Sequence, residues 1–170
     1  MTHVKSQTWL DSTSLLIVGS EPGQSLRPYR LPISGGPAVP VLTENVTTVL
    51  LASDHNTVLG FDKNGSAAIY HLDGGVPKPL PSVGDDAPFA FSDDGRAIFV
   101  VKPGSIPARV DRIDVATGQR TFFREFGPVD RTSLIRIYFS DPVLKADGSQ
   151  YAYGYVRRPS TLFMVTPKTK

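Results

Sequence analysis

The chain of 170 residues contains no cysteine, only one tryptophan, and nearly equal numbers of positive and negative side chains. The absence of cysteine excludes disulfide bonds, thiol catalysis and cysteine-ligated zinc or iron–sulfur centres. The formal net charge of +2 is too small to attract nucleic acid or an anionic membrane. No single stretch combines clustered Lys and Arg with interleaved aromatic residues. The sequence therefore predicts no nucleic-acid binding.

Long hydrophobic runs are also missing. The longest apolar run, Ala97 to Val101, is far shorter than the ~20 residues that a membrane-spanning helix needs. Residues 1–9 lack the apolar centre of a signal peptide. We expect no direct membrane insertion. We expect a cytoplasmic protein if this is a complete gene product. An extracytoplasmic location is the alternative if the chain was cut from a membrane-anchored kinase.

What the chain does have is many turn residues. It contains 15 glycines and 15 prolines, scattered singly or in turn pairs, with 40% hydrophobic and 20% charged residues. This composition is typical of a folded globular domain made of many short segments. It favours an all-β fold, with residues 1–170 forming a single domain.

An internal repeat of about 41 residues sets the predicted architecture. Three sets of apolar residues keep this spacing, and each set is expected to mark a shared core position. The sets are Trp9, Leu50 and Phe91; Ile17, Val58 and Phe99; and Leu31, Leu72 and Ile113. Helical repeats of similar period would need long helical stretches, which glycine and proline interrupt. A β-sandwich with accidental repetition is the structural alternative.

The third repeat unit shows the expected strand pattern most clearly. It predicts four strands, at Ala87–Phe91, Ala97–Lys102, Arg109–Val115 and Arg120–Phe123. Asp94-Gly95 lies between the first two and is typical of a tight hairpin turn, in which glycine takes a positive φ. Four antiparallel strands per unit of this length are the signature of β-propeller blades.

The fourth unit is offset by an insertion within residues 126–146. Asp147-Gly148 matches Asp94-Gly95, so the two pairs are predicted to occupy equivalent turns. Tyr151–Tyr155 fills the second strand and Thr161–Val165 the third, while no fourth strand is evident. The prediction is about four blades, at residues 8–43, 48–82, 87–125 and 138–167. The last blade is incomplete, and the whole could be half of a larger propeller.

Three segments carry a resemblance to known families. They are Phe-Ala-Phe-Ser-Asp-Asp-Gly-Arg-Ala-Ile-Phe-Val from Phe89, the segment from Pro107 to Arg120, and the segment from Ala146 to Val165. The first resembles WD-repeat-like, Tol-type propellers. Together they resemble the C-terminal propeller region of bacterial serine/threonine protein kinases. The resemblance implies a sensor or interaction domain, but the kinase motifs are absent and kinase activity is not implied.

Histidine and aspartate are the first candidates for a metal site. His3, His55 and His71 are far apart, and His55 and His71 are expected at the surface. Asp93, Asp94 and Asp147 lack the regular ligand spacing of a calcium loop and are expected to stabilise turns instead. The sequence therefore predicts no metal-binding and no cofactor-binding residue.

Catalytic patterns are equally sparse. Gly19-Ser20 and Gly104-Ser105 do not fall in a Gly-x-Ser-x-Gly elbow, and no Ser–His–Asp set can be proposed. We expect no catalytic residue and no enzymatic activity.

One strand carries an alternating aromatic pattern. Tyr151, Tyr153 and Tyr155 share one face, with Ala152 and Gly154 on the other, and we expect this row to form packed core. An aromatic shelf that faces a ligand is the alternative. Arg157-Arg158 follows at the strand end and is expected to be solvated.

These observations predict a non-catalytic binding, sensor or protein-interaction module, whose protein, peptide or small ligand the sequence does not name. Two alternatives stay open. One is a propeller-type hydrolase or lyase with an active site in its channel. The other is a partial propeller that folds only by self-assembly, for which a homodimer would close the ring.

Overall fold

A computed structural model describes residues 3–145, 149–161 and 164 of the chain. In these residues it has three four-stranded antiparallel sheets and one two-stranded sheet, which confirms the all-β prediction. The first sheet contains β1 (His3–Asp11), β2 (Ser14–Ser20), β3 (Arg27–Pro32) and β4 (Val39–Pro40). The second contains β5 (Thr48–Leu51), β6 (Thr57–Phe61), β7 (Ala67–His71) and β8 (Lys78–Pro79). The third contains β9 (Ala87–Phe91), β10 (Ala97–Val101), β11 (Ala108–Asp114) and β12 (Arg120–Phe126), and the fourth β13 (Leu134–Leu144) and β14 (Tyr151–Arg157).

Each sheet is a simple meander in which strands adjacent in sequence pair with each other. Neighbouring sheets touch through their first strands, because β9 contacts β5 on one side and β13 on the other. The first strands therefore form the inner edge of the arrangement, as in propeller blades. The sheets begin earlier than predicted at two places, at His3 in the first sheet and at Leu134 in the fourth.

The Asp94-Gly95 turn has the predicted geometry. Gly95 has a φ of 66°, a left-handed conformation that costs glycine little. The Asp94 carboxylate accepts hydrogen bonds from the Ser92 hydroxyl at 2.6 Å and from the Arg96 backbone N–H at 3.0 Å. These contacts confirm this hairpin turn between β9 and β10. Its predicted equivalent, Asp147-Gly148, lies outside the described residues.

The second and third sheets pack face to face through a largely aliphatic core. The cluster between the second and third sheets includes Leu59, Ile69, Ile98, Val100 and Ile113, each at most 3% exposed. Alternation along β6, β7, β10 and β11 places these side chains on the facing surfaces of the two sheets.

The repeat positions do not all hold in the structure. Ile17, Val58 and Phe99 are buried, as predicted. They do not share one core position, because Val58 packs toward the first sheet and Phe99 toward the fourth. The turns at His55 and Gly95 are 40 residues apart (95 − 55) rather than 41, and a shift of one residue reverses the face of a strand. Trp9 is 61% exposed, and its neighbour Leu10 is buried instead, so the prediction for Trp9 is wrong. The cause is a bulge near the end of β1, where the register with β2 shifts between Trp9 and Asp11.

The third set keeps its face but not its burial. Leu72 packs toward the first sheet and Ile113 toward the second, so each faces the sheet that precedes it. Ile113 is fully buried and pairs with Ile98, whereas Leu31 and Leu72 are only half-buried.

The fourth sheet contains part of the predicted insertion. Between Tyr138 and Val143, β13 advances five positions while its partner β14 advances two, from Gly154 to Ala152. This irregularity absorbs three of the extra residues. The predicted third strand, Thr161–Val165, lies mostly outside the described residues, and Thr161 itself is not in a strand. The helix seen in the described residues is the three-residue Pro81–Val83, and no helix there could span a membrane.

Candidate binding surfaces

A cavity of about 360 Å³ opens where the first strands of the first three sheets end. We call it the channel mouth. Trp9 borders it from β1, and Ser53 and His55 come from the turn after β5. Phe89 and Asp93 border it from β9 and the turn that follows. It combines aromatic, apolar and polar groups, which is the usual composition of a ligand site.

The polar rim of the channel mouth is held rigid by hydrogen bonds. The Ser53 hydroxyl donates to the Asp93 backbone carbonyl at 2.7 Å and so joins the hairpins of two sheets. Within its own turn, the Asp54 carboxylate accepts from the backbone N–H groups of Asn56 and Thr57, at 2.9 and 2.8 Å. Such links make the rim a fixed scaffold.

Three carboxylates of these hairpins are stabilised in their charged forms. Hydrogen bonds from Thr13 and Ser14 hold the pKa of Asp11 far below its usual value. A hydrogen bond from the Ser92 hydroxyl likewise lowers the pKa of Asp94. At Asp54, burial acts to raise the pKa, but the hydrogen bonds from Thr57 and Asn56 outweigh it and the pKa is lowered. All three carboxylates therefore stay charged and stabilise the turns in which they accept hydrogen bonds.

The histidines lie apart, as predicted. His55 is exposed in its turn with a φ of 56°, and it occupies the position of Gly95 in the next sheet. His71 is exposed at the end of β7, with Nδ1 3.3 Å from the Thr57 hydroxyl oxygen. His3 is exposed and begins β1, where it pairs with Ser20. In the part of the chain that the structure describes, no group of three His or acidic side chains could hold a metal ion.

An ionic cluster links β11 and β12 of the third sheet to the loop that precedes β9. Arg120 forms ion pairs with Asp86 and with the buried Asp111, whose carboxylate lies 2.7 Å from Arg120 Nε. Arg109 Nε also lies 3.1 Å from Asp111. Because these charges compensate one another, we interpret the cluster as structural.

A second surface combines aromatic rings with arginine. Tyr151, Tyr153 and Tyr155 form a row along β14, with ring centroids 6.3 and 6.2 Å apart. Arg124 of β12 lies over the Tyr151 ring at 5.5 Å, and Arg157 lies over the Tyr155 ring at 5.4 Å. We call these five residues the arginine–tyrosine row.

The row is only partly the packed core that its alternation predicts. Tyr153 is half-buried and packs against the cluster that contains Phe99 and Phe126. Tyr151 and Tyr155 are 45% and 46% exposed, so the prediction of core is wrong for these two rings. The Phe126 and Tyr151 rings pack edge to face with centroids 4.5 Å apart, and this contact holds the Tyr151 end of the row in place.

Sequence reasoning missed the part that Arg124 plays in this surface. The Arg124 guanidinium comes from the third sheet and reaches Tyr151 in the fourth, across 27 positions of sequence. Arg157, which we expected to be solvated, forms an ion pair with Asp130 at 2.9 Å and also covers Tyr155. The contact of Arg157 with Tyr155 is local, two residues apart on one strand face. The contacts of Arg124 with Tyr151 and of Arg157 with Asp130 do not follow from local spacing, because the fold brings separate stretches together.

Comparison with solved structures identifies the arrangement as part of a β-propeller. TolB from Acinetobacter baumannii matches with a TM-score of 0.51 at 21% identity, over 78% of this chain and 32% of that one. A TolB-like protein from Agrobacterium tumefaciens matches with a TM-score of 0.53 at 19% identity, over 91% and 58%. The tricorn protease matches with a TM-score of 0.57 at 14% identity, over 88% and 15%.

These likenesses establish a Tol-type propeller fold and nothing finer. The chain spans less than two thirds of the length of each of these proteins. No protein-family model matches the chain, and no curated protein matches it either. The predicted resemblance to kinase-associated propellers is not shown by these comparisons.

Proposed function

We propose that the chain is a non-catalytic binding module of the propeller type, with the channel mouth as its ligand site. The channel mouth supports this function because aromatic and polar groups from three sheets meet around one cavity. Its hairpins are cross-linked by the Ser53–Asp93 hydrogen bond, so the site is organised before a ligand arrives. We propose a peptide or a small molecule as the ligand, since the cavity is of the size that such ligands fill.

The rival function is a hydrolase or lyase with an active site in the channel. Acid–base catalysis at neutral pH usually needs a carboxyl group whose pKa is raised. The hydrogen bonds of Asp11, Asp54 and Asp94 lower their pKa values instead. These groups suit a structural role at the rim, which favours the binding module.

Trp9 makes the proposal directly testable, because it is the only tryptophan in the chain and it borders the channel mouth. A pool of random heptapeptides, and then its individual members, would be titrated while Trp9 emission and its quenching by acrylamide are followed. Binding at the channel mouth should change the emission and protect the indole from acrylamide.

A control variant carries the tryptophan elsewhere. Trp9→Phe combined with Val76→Trp places the reporter in an exposed turn, since Val76 is 92% exposed. This reporter should not respond to the same peptides. Binding by calorimetry with an unchanged Trp9 signal would contradict a site at the channel mouth. Turnover of a chromogenic ester or glycoside would contradict the absence of catalysis.

Self-assembly of a partial propeller is a second candidate, favoured by apolar groups exposed on the end sheets. Val156 is 42% exposed on the face of β14 opposite the tyrosines. In the first sheet, Trp9 pairs with Leu15 and Leu15 with Leu31, a row on the face opposite Leu16, which packs toward the second sheet. A homodimer that joins the two ends would cover both faces and close the ring.

Light scattering on the purified chain tests this second candidate. A dimer should appear at twice the 18.4 kDa chain mass. Val156→Glu should shift it to the monomer, whereas Lys63→Glu, at an exposed turn of the second sheet, should not. A monomer over the whole concentration range would eliminate self-assembly and leave the binding module untouched.

A further inference from the structure

The arginine–tyrosine row has a regular order of groups. Three tyrosine rings follow one another at 6.3 and 6.2 Å, and one guanidinium stands at each end, 5.5 and 5.4 Å from the nearest ring. Residues on one face of an extended peptide repeat at about 6.6 Å, twice the rise per residue. The spacing of the row therefore matches the alternate side chains of an extended chain lying along it.

Arg124 supplies charge that is not already compensated. Its guanidinium lies 5.7 Å from the Phe123 ring and 5.5 Å from the Tyr151 ring. Arg124 is exposed and has no ion-pair partner in the described part of the chain. A guanidinium that rests on aromatic faces keeps its N–H groups free at the edge, in the planar fork that binds a carboxylate.

Arg157 lies at the other end of the row, where it forms an ion pair with Asp130. The Arg157 side chain is 33% exposed and the Asp130 side chain 59%, so the pair lies at the surface, and Arg157 also donates to the Asp130 backbone carbonyl. Exposed ion pairs contribute little and exchange readily with another carboxylate. Both ends of the row can thus receive an acidic group.

We propose that the arginine–tyrosine row is a binding surface for an extended acidic peptide segment of a partner protein. Acidic residues at the two ends of the segment pair with Arg124 and Arg157. Apolar or aromatic residues at three alternate positions between them lie on Tyr151, Tyr153 and Tyr155, which are partly exposed. Rigid tyrosine rings with arginine are the residue types that dominate binding energy at protein interfaces.

Single-stranded nucleic acid would also use aromatic stacking and arginine, but the charges favour the peptide. Nucleic-acid binding draws its affinity from several phosphate contacts and a strongly basic surface. The chain has a formal net charge of only +2, and Arg157 already faces Asp130. Two guanidinium groups separated by three rings suit two carboxylates better than a continuous phosphate chain.

This surface is separate from the channel mouth. Arg124 pairs with Val110, which pairs with Val101 at the far end of β10. The turn that lines the channel mouth joins the opposite end of β10, before Ala97. The proposal therefore stands or falls independently of the function proposed for the mouth.

A fluorescein-labelled peptide of nine residues tests the proposal by fluorescence anisotropy. It carries Glu at both ends, Tyr at positions three, five and seven, and Ser between them. We expect it to bind, with affinity that falls as salt rises. The same peptide with Gln in place of both Glu residues should bind roughly five-fold more weakly or worse. Equal binding of the two peptides would overturn the proposal.

Variants of the protein locate the peptide. Arg124→Gln and Tyr155→Ala should each weaken binding by roughly three- to ten-fold. Arg124→Lys keeps the charge but not the planar fork, so it should recover binding only in part. Arg96→Gln removes the same charge at the opposite end of the third sheet and should change nothing.

Two results would overturn the proposal outright. The first is unaltered affinity in Arg124→Gln and Tyr155→Ala when circular dichroism shows both variants folded. The second is tighter binding of a nine-nucleotide oligothymidylate than of the acidic peptide, which would assign the surface to nucleic acid.

Discussion

The two inter-sheet interfaces of the third sheet differ in character. Toward the second sheet, the core is dominated by aliphatic residues such as Leu59, Ile98 and Val100, and each of these three is completely buried. Toward the fourth sheet, the interface is aromatic, with Phe99 and Phe123 rings 4.9 Å apart. The tyrosine row that completes it is exposed by almost half at Tyr151.

The two interfaces are suited to different roles, the aliphatic one to stability and the aromatic one to recognition. Aliphatic side chains that lose all contact with water contribute mainly hydrophobic stabilisation. Half-exposed tyrosines beside arginines gain less from burial, but they keep polar edges and ring faces for a partner. We therefore expect the first interface to determine whether the chain folds and the second to carry interactions.

The largest expected effect is a stability contrast between the two interfaces. Leu59→Ala leaves a cavity in the fully buried core and should lower the free energy of unfolding by about 3 kcal/mol. Tyr155→Ala removes a ring that is 46% exposed and should cost at most about 1 kcal/mol. Urea denaturation followed by circular dichroism measures both. Equal losses would show that the aromatic interface is as structural as the aliphatic one.

A smaller effect concerns two equivalent hairpin turns that carry different residues. Gly95 and His55 both have positive φ, at 66° and 56°, but only glycine adopts this conformation without strain. Gly95→Val should lower the free energy of unfolding by roughly 1 kcal/mol or more, and His55→Gly should raise it by up to about 1 kcal/mol.

Urea denaturation of the two variants tests whether the two turns have the same backbone geometry. Opposite signs for the two variants would confirm that the repeat imposes one turn geometry on both sheets. A loss in His55→Gly would mean that the imidazole makes a stabilising contact at the channel mouth that outweighs the backbone strain.

Local signals in the sequence predicted much of the fold. In the third sheet, three of the four predicted strands end within one residue of the observed bounds, because turn residues punctuate clear apolar runs. Asp94-Gly95 was predicted correctly for the same reason. The errors come from single-residue irregularities. The bulge near Trp9 shifts the register of β1, and the 40-residue offset between the turns at His55 and Gly95 puts Phe99 on the face opposite to that of Val58.

The candidate surfaces were much harder to predict than the fold. The channel mouth draws on the ends of three strands, about 40 residues apart in sequence, and the packing of the sheets alone brings them together. Arg124 meets Tyr151 only through contact between two sheets. No local sequence pattern predicts that the three strand ends converge or that Arg124 contacts Tyr151. The sequence could therefore suggest a binding module but could not locate its binding site.

The smallest effect we predict is the part of the pH dependence of the unfolding free energy that comes from the hairpin turns. These turns belong to the first three sheets and not to the aromatic interface. The pKa of Asp11, Asp54 and Asp94 is lowered in the folded chain. Below about pH 4, the usual pKa of an aspartate, the unfolded chain binds more protons than the folded one. Stability is therefore complete above this pH and falls as the pH drops toward the folded pKa values.

Unfolding free energies at pH 6 and pH 3 test this expectation. The wild-type chain should lose stability between them, and Asp11→Asn combined with Asp94→Asn should lose less, since neither amide can be protonated in this range. Thr13→Val removes the hydroxyl that donates to Asp11 at 2.7 Å and keeps the carboxylate, so it should also reduce the loss. If both variants lose as much stability as wild type, other carboxylates control the acid response. The turns would then owe their order to glycine and backbone hydrogen bonds rather than to charge.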